Sequence, residues 1–268
     1  GVRVNYETFE STEEMFAKIL AGGAQWDVVF PSSSYVGPMT RRGLLAELDQ
    51  ARLPGLANLD EPFRISPWDP GNRYSVPYLW GVSGFVYNRR KFPRAPASWA
   101  SLWDPALRGK ITMLDDPAEV LGVCLKKLGH SINSVDPREL AAAQAEALRQ
   151  KPQVRAYINA EVKPQLVAGD VSAAQLWNGD AWQAIAENPD LQYCYPEEGV
   201  AVFADVAVIL KDAPNRDAAY RWIDYLLRPE VAASIAAETL FATPNARGRE
   251  RLAAAVRDNP DIYPPPER

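Results

Sequence analysis

One histidine, two cysteines and three methionines occur among 268 residues, and each scarcity removes a class of chemistry. A lone imidazole, His130, leaves no histidine-based metal cage and few routes to acid–base or nucleophilic catalysis. It follows Leu128-Gly129 at an expected helix end, where a contact with the C-terminal dipole accounts for it. Cys124 and Cys194 lie far apart, in neither a CxxC nor a CxxxxC spacing. They read first as two buried structural thiols and next as a single disulfide of an oxidising compartment. No metal site and no cofactor is expected. No stretch approaches ~18 apolar residues, so no membrane insertion is expected. Basic charge is also short: 29 Lys and Arg against 34 Asp and Glu give −5. That balance argues against gripping nucleic acid by bulk charge and favours a cationic partner.

What is present is the composition of a globule, 47% apolar and 24% charged, long enough at about 150 residues per domain for one large domain or two modest ones. Short β-runs alternate with helical patterns, which predicts an α/β fold with a largely parallel sheet. Val2 to Thr8 reads as a first strand. Ser11-Thr12-Glu13-Glu14 is a capping box that opens a helix closed by Gly22-Gly23. Trp26 to Phe30 reads as a strand, and Pro31-Ser32-Ser33-Ser34 as the loop at its C-terminal end, where open α/β sheets bind ligands. Pro77, Gly81 and Gly84 within Tyr74 to Asn88 argue for a bent crossover rather than one strand. Later elements are expected at 110–114 (strand), 117–128 and 137–151 (helices), 153–157 (strand), 160–168 (helix), 172–177, 191–195 and 200–210 (strands). The chain is then expected to be helical over 215–227, 229–239 and 247–258. Two crossovers predict two discontinuous lobes, 1–81 with 204–249 and 82–203 with 250–268, and a ligand site in the cleft they form.

Three sets of residues carry candidate chemistry. Asp116 and Glu119, spaced i, i+3 at a strand-to-helix junction, can face one side; Asp116-Pro117 is equally a helix cap. Asp205 interrupts the run Val200 to Val208, where an unpaired charge would cost several kcal/mol. Its partner is either an internal arginine or a bound cation, unless it is simply exposed. Tyr35, Tyr78, Trp80, Trp177, Tyr195 and Phe203 lie at strand ends or crossovers. Aromatic walls with acidic ends suit an elongated amine, with methylenes on ring faces and ammonium groups on carboxylates.

Several stretches together resemble the spermidine/putrescine-binding proteins of bacterial ABC importers. They are Tyr6-Glu7-Thr8-Phe9-Glu10-Ser11, Asp27-Val28-Val29-Phe30-Pro31-Ser32, Tyr74-Ser75-Val76-Pro77-Tyr78-Leu79-Trp80-Gly81, Ser98-Trp99-Ala100-Ser101-Leu102-Trp103, Leu176-Trp177-Asn178-Gly179 and Leu226-Leu227-Arg228-Pro229-Glu230-Val231-Ala232, with Thr243-Pro244-Asn245. The resemblance implies a two-lobed periplasmic-binding-protein fold of type II, a periplasmic location, a small cationic amine as ligand, an ABC permease as partner and no catalysis. It implies ligand contacts from Ser32, Ser34, Tyr35, Asp116, Glu119, Trp177, Phe203, Asp205 and Phe241. Here Ser34 stands where such proteins often place a ring, Phe203 where a tryptophan is usual and Phe241 where a tyrosine is usual. Both chain ends are expected to be cut: the family's opening strand and helix and its final segment are missing. The chain is then either a truncated binding protein or one whose missing strand comes from another chain, and the alternative to a receptor is a truncated or degraded scaffold that serves as a sensor or docks a partner without binding polyamine.

Overall fold

A computed structural model describes residues 3–22 and 25–264. Along the chain lie α1 (Thr12–Leu20), β1 (Val28–Val29), α2 (Val36–Arg41), α3 (Glu61–Arg64), β2 (Ser75–Asn88), β3 (Ile111–Met113), α4 (Pro117–Lys127) and α5 (Pro137–Gln150). They are followed by β4 (Val154–Tyr157), α6 (Val162–Ala168), β5 (Ala173–Trp177), α7 (Asn178–Glu187), β6 (Leu191–Cys194), β7 (Ala201–Ile209), α8 (Arg216–Leu226), α9 (Pro229–Thr239), α10 (Ala246–Arg249) and α11 (Ala254–Arg257). The chain divides into two compact units, one of Gly1–Gly81 with Phe203–Tyr263 and the other beginning with Val82–Val202.

In the first unit β1 pairs antiparallel with β7, Val28 opposite Ile209 and Val29 opposite Val208. One side of these strands packs Val76, Ala207 and Ile209 with Leu48, Leu53, Tyr220 and Ile223. The other packs Val29, Val206 and Val208 with Met15 of α1 and Met39 of α2. The helix starts follow the local chemistry. The Ser11 hydroxyl accepts from the Glu14 amide at 3.1 Å, and the Glu14 carboxylate accepts from the Glu10 amide at 2.8 Å. Gly22 takes φ +72°, which glycine adopts without steric cost; Gly23 lies outside the described residues.

In the second unit β2 lies between β5 and β6, antiparallel to both, while β3 runs parallel to β5 and β4. The α4–α5 pair covers one face, where Phe85, Trp99, Ile111, Met113, Val120 and Val123 form the core. Helices α6 and α7 cover the opposite face over Val86, Ala174 and Leu176. Asp136 caps α5 by accepting from the Arg138 amide at 2.7 Å, with Pro137 in the first turn.

Five expectations need correction. Val2 lies outside the described residues, and residues 3–8 belong to no strand: Val4 and Tyr6 are exposed, so the alternation buries no apolar face that would hold a strand. The sheet is not largely parallel; the described parallel ladders are those of β3, and the long β2 and β7 pair antiparallel. Pro77, Gly81 and Gly84 do not break β2, which runs unbroken for 14 residues. Gly84 is there because a Cβ would meet the Cys194 carbonyl at 2.6 Å. The helix expected over 247–258 is two short ones, α10 and α11, since the intervening turn sinks Leu252 into the interior. Residues 250–263 group with the first unit, not the second. Tyr263 holds them there: its hydroxyl accepts from the Thr243 amide at 3.2 Å, and its ring lies under Arg249 at 3.9 Å and edge-on to Trp80 at 6.1 Å. Residues 265–268 of that expectation lie outside the described residues.

Both cysteines are free and buried, as structural thiols rather than a disulfide. His130 has a partner beyond the helix dipole, with Nδ1 3.3 Å from a Glu139 carboxylate oxygen at the start of α5. Among the described residues, no helix is long and apolar enough to cross a membrane.

Candidate functional site

The first unit assembles its candidates by strand register. Beyond Val28 and Val29 the β1 chain continues to an antiparallel bridge of Ser32 with Asp205, and the Val206 amide donates to the Pro31 carbonyl at 3.0 Å. Side chains two residues apart share a strand face. Asp205 and Phe203 therefore extend the face that buries Ala207 and Ile209, and Tyr78 and Trp80 extend the face that buries Val76. The apolar face of β7 thus runs out to Asp205 and Phe203, with Tyr78 near enough to feel the Asp205 charge. Burial alone pushes the Asp205 carboxyl up to about 7. The described residues place no lysine or arginine in an ion pair with it. The internal arginine that was one expected partner is therefore not there. Burial also raises the Tyr78 hydroxyl, with smaller contributions from Tyr6 and from the Asp205 charge. The Tyr78 ring leans on Phe30 at 5.0 Å.

Around this pair, the Ser32 amide donates to the Thr12 hydroxyl at 3.3 Å, and Ser34 Oγ donates to Ser32 Oγ at 3.3 Å. Phe203 meets Phe241 edge-to-face at 6.1 Å. Phe241 is aimed by the end of α9, where Leu240 adopts φ +59° and Ala242 then bridges Trp80. Tyr35 is engaged with α1: its hydroxyl donates to Glu13 at 2.8 Å and its ring packs edge-on against Phe16 at 5.4 Å.

The second unit builds its site where α4 starts above the sheet. Asp116 is the helix cap, its Oδ1 accepting from the Ala118 amide at 2.8 Å and the Glu119 amide at 3.2 Å. Glu119 faces the sheet, where Ser83 lies opposite Trp177 and Phe85 opposite Gln175. Ser83 Oγ donates to Glu119 Oε1 at 2.7 Å, and Gln175 Nε2 donates to Oε2 at 3.3 Å. Burial pushes the Glu119 carboxyl up to about 7; Asp116 adds to the rise, and hydrogen bonds from Ser83 and Trp177 oppose it. Ser83, Trp99, Glu119, Lys126 and Ile132 line a small recess. Among the described residues, no group of three or more His, Cys, Asp or Glu side chains is placed to hold a metal ion.

The family model for bacterial extracellular solute-binding proteins matches residues 1–263. The chain belongs to that family. This solute-binding protein is 35% identical over 270 residues to the spermidine/putrescine-binding periplasmic protein of Escherichia coli, covering 100% of this chain and 77% of that one. It is 32% identical over 277 residues to a putrescine/cadaverine-binding protein of Pseudomonas aeruginosa, covering 98% and 78%. Among solved structures it is similar to the spermidine/putrescine ABC transporter substrate-binding protein of Streptococcus pneumoniae. That likeness has a TM-score of 0.83 and 34% identity, covering 99% of this chain and 82% of that one. A Listeria monocytogenes protein aligns at a TM-score of 0.94 with 36% identity, covering 99% and 83%. The fold is the type II periplasmic-binding-protein fold, and the family is one of solute-binding proteins, not an enzyme family.

Of the candidates in this solute-binding protein, Ser32, Ser34 and Asp205 are brought together in the first unit, and Phe203 meets Phe241 there. Asp116, Glu119 and Trp177 come together in the second. Tyr35 is set apart by its bond to Glu13. Tyr78 stood among the aromatic candidates, but Ser83 and Gln175 were not among the candidates at all. Their signals were weak: Gln175 is one polar residue in the apolar run of β5, and Ser83 sits between Val82 and Gly84.

Proposed function

We propose that this protein is an extracytoplasmic, periplasmic receptor that captures a polyamine, spermidine or putrescine, and delivers it to an ABC permease. The Asp205 carboxylate carries the reading. It is half-buried, shares a strand face with Phe203, and is paired with no lysine or arginine of the described chain. A desolvated carboxylate without an internal cation is complementary to an ammonium group, and ring faces accept the methylenes that separate one ammonium from the next. In the second unit Glu119 and Asp116 are the further ligand carboxylates, and Trp177 is an aromatic wall. The polyamine names of relatives that match nearly the whole chain support a receptor over a ligand-free docking scaffold.

Calorimetric titration with spermidine and with putrescine tests the reading, with Asp205→Asn alongside. Micromolar or tighter binding is expected from the wild type, weakened at least about tenfold by Asp205→Asn, which is about 1.4 kcal/mol. Binding unaffected by the substitution removes Asp205 from the site. No heat with either amine from a chain that melts cooperatively overturns the reading.

A further inference from the structure

We propose that Ser83 and Gln175 are positioning residues that clamp the Glu119 carboxylate in the orientation and ionised state that accept an amine. The inference rests on the polyamine reading of the site. Two donors on different strands each take one oxygen, Ser83 Oγ on Oε1 at 2.7 Å and Gln175 Nε2 on Oε2 at 3.3 Å. Neither donor is free to turn elsewhere. Gln175 is fully buried, its Oε1 accepts from the Leu114 amide at 3.4 Å, and its Nε2 also lies 3.5 Å from the Glu119 carbonyl. Ser83 is 1% exposed, in the middle of β2. If Glu119 swung away, the buried Ser83 hydroxyl would lose its acceptor and Gln175 Nε2 would keep only the Glu119 carbonyl at 3.5 Å, so both donors hold the side chain in place.

The chemistry of the donors matters as much as their placement. An arginine or lysine here would hold the carboxylate and cancel its charge. A hydroxyl and an amide are neutral, so they favour the anion while leaving its full negative charge for an ammonium group. The other groups facing Glu119 are Asp116 at the start of α4, Lys126 on the same recess, the Trp177 indole, and Tyr193 of β6, whose hydroxyl is held by the Val82 and Leu176 carbonyls. Asp116 works against ionisation, and Ser83 is the strongest hydrogen-bond influence in its favour.

The test is a carbon-13 NMR titration of the Glu119 side-chain carboxyl in the ligand-free protein, for the wild type, Ser83→Ala and Ser83→Thr. Spermidine affinity is measured at pH 6.5 and pH 8.5. In Ser83→Ala the Glu119 midpoint is expected to rise by roughly half a pH unit or more, and to return toward wild type in Ser83→Thr, which restores the hydroxyl. Spermidine affinity of Ser83→Ala should fall about threefold or more at pH 6.5 and by less at pH 8.5. Should Ser83→Ala fail to fold, Gln175→Met, which keeps the buried volume, is titrated in its place with the same expected rise. An unmoved midpoint overturns the clamp even if spermidine still binds. A wild type that binds no spermidine overturns the polyamine reading, while the ligand-free titration still decides the clamp.

Discussion

Ser32 and Asp205 face each other in an antiparallel bridge that keeps the register of the β1–β7 ladder. The same pairing that sets Val28 against Ile209 in the core delivers a loop serine to the one carboxylate of β7. Moving either strand by one residue would turn Asp205 into the opposite face, among Val206 and Val208 and against Met15 and Met39. Burying the apolar side of β7 correctly is therefore what presents Asp205.

A carboxylate raised by burial makes the empty protein less stable as pH rises. The Asp205 carboxyl is held near 7 against an ordinary 3.8, so between those values the folded chain binds more protons than the unfolded one. Stability from this group is fully present below 3.8, falls as pH rises through the interval and is lost above 7. Without ligand, Asp205→Asn should melt at the wild-type temperature at pH 4 and at least about 3 °C higher at pH 8. Differential scanning fluorimetry across that range checks it; equal melting temperatures at pH 8 would contradict the burial.

Asp116 combines a cap with a charge, and two substitutions separate them. Asp116→Ala removes the acceptor for the Ala118 and Glu119 amides and should cost about 1 kcal/mol in urea unfolding. Asp116→Asn keeps a capping oxygen and should stay within about 0.5 kcal/mol of the wild type. A loss of spermidine affinity in Asp116→Asn at unchanged stability then measures the charge alone.

Gly84 should tolerate no side chain. A Cβ would lie 2.6 Å from the Cys194 carbonyl and 2.7 Å from the Tyr193 hydroxyl, with backbone of β6 on one side. Gly84→Ala is expected to destabilise by about 1–3 kcal/mol. Chemical denaturation that shows no loss would mean that β2 and β6 approach less closely than described.

The two thiols should be silent in the native protein. Burial pushes both Cys124 and Cys194 up to about 12, so almost no thiolate exists at neutral pH. Ellman's reagent is expected to titrate none of them under native conditions and both in denaturant. Recovery of fewer than two in denaturant without reductant would indicate a disulfide.

Features made by near neighbours were legible in the chain itself. Ser11 capping Glu14, Asp116 capping Glu119 with Pro117 between them, and Asp136 before Pro137 each need only a turn of backbone, so residue types in order suffice to set them. The polar interruption at Asp205 was equally visible, because a charge in an apolar strand is costly wherever that strand ends up. The donors to Glu119 were not visible: Ser83 and Gln175 lie 36 and 56 residues away and meet it only because β2, β5 and α4 stack on one face. The same holds for Tyr263 drawing residues 250–263 into the first unit, and for β2 running straight through Pro77 and two glycines. Local hydrogen bonding and apolar spacing determined which elements form and which residues stand out. Long-range register and face-to-face packing decided which of those residues meet, since their contacts form only once the apolar faces of distant segments are buried together.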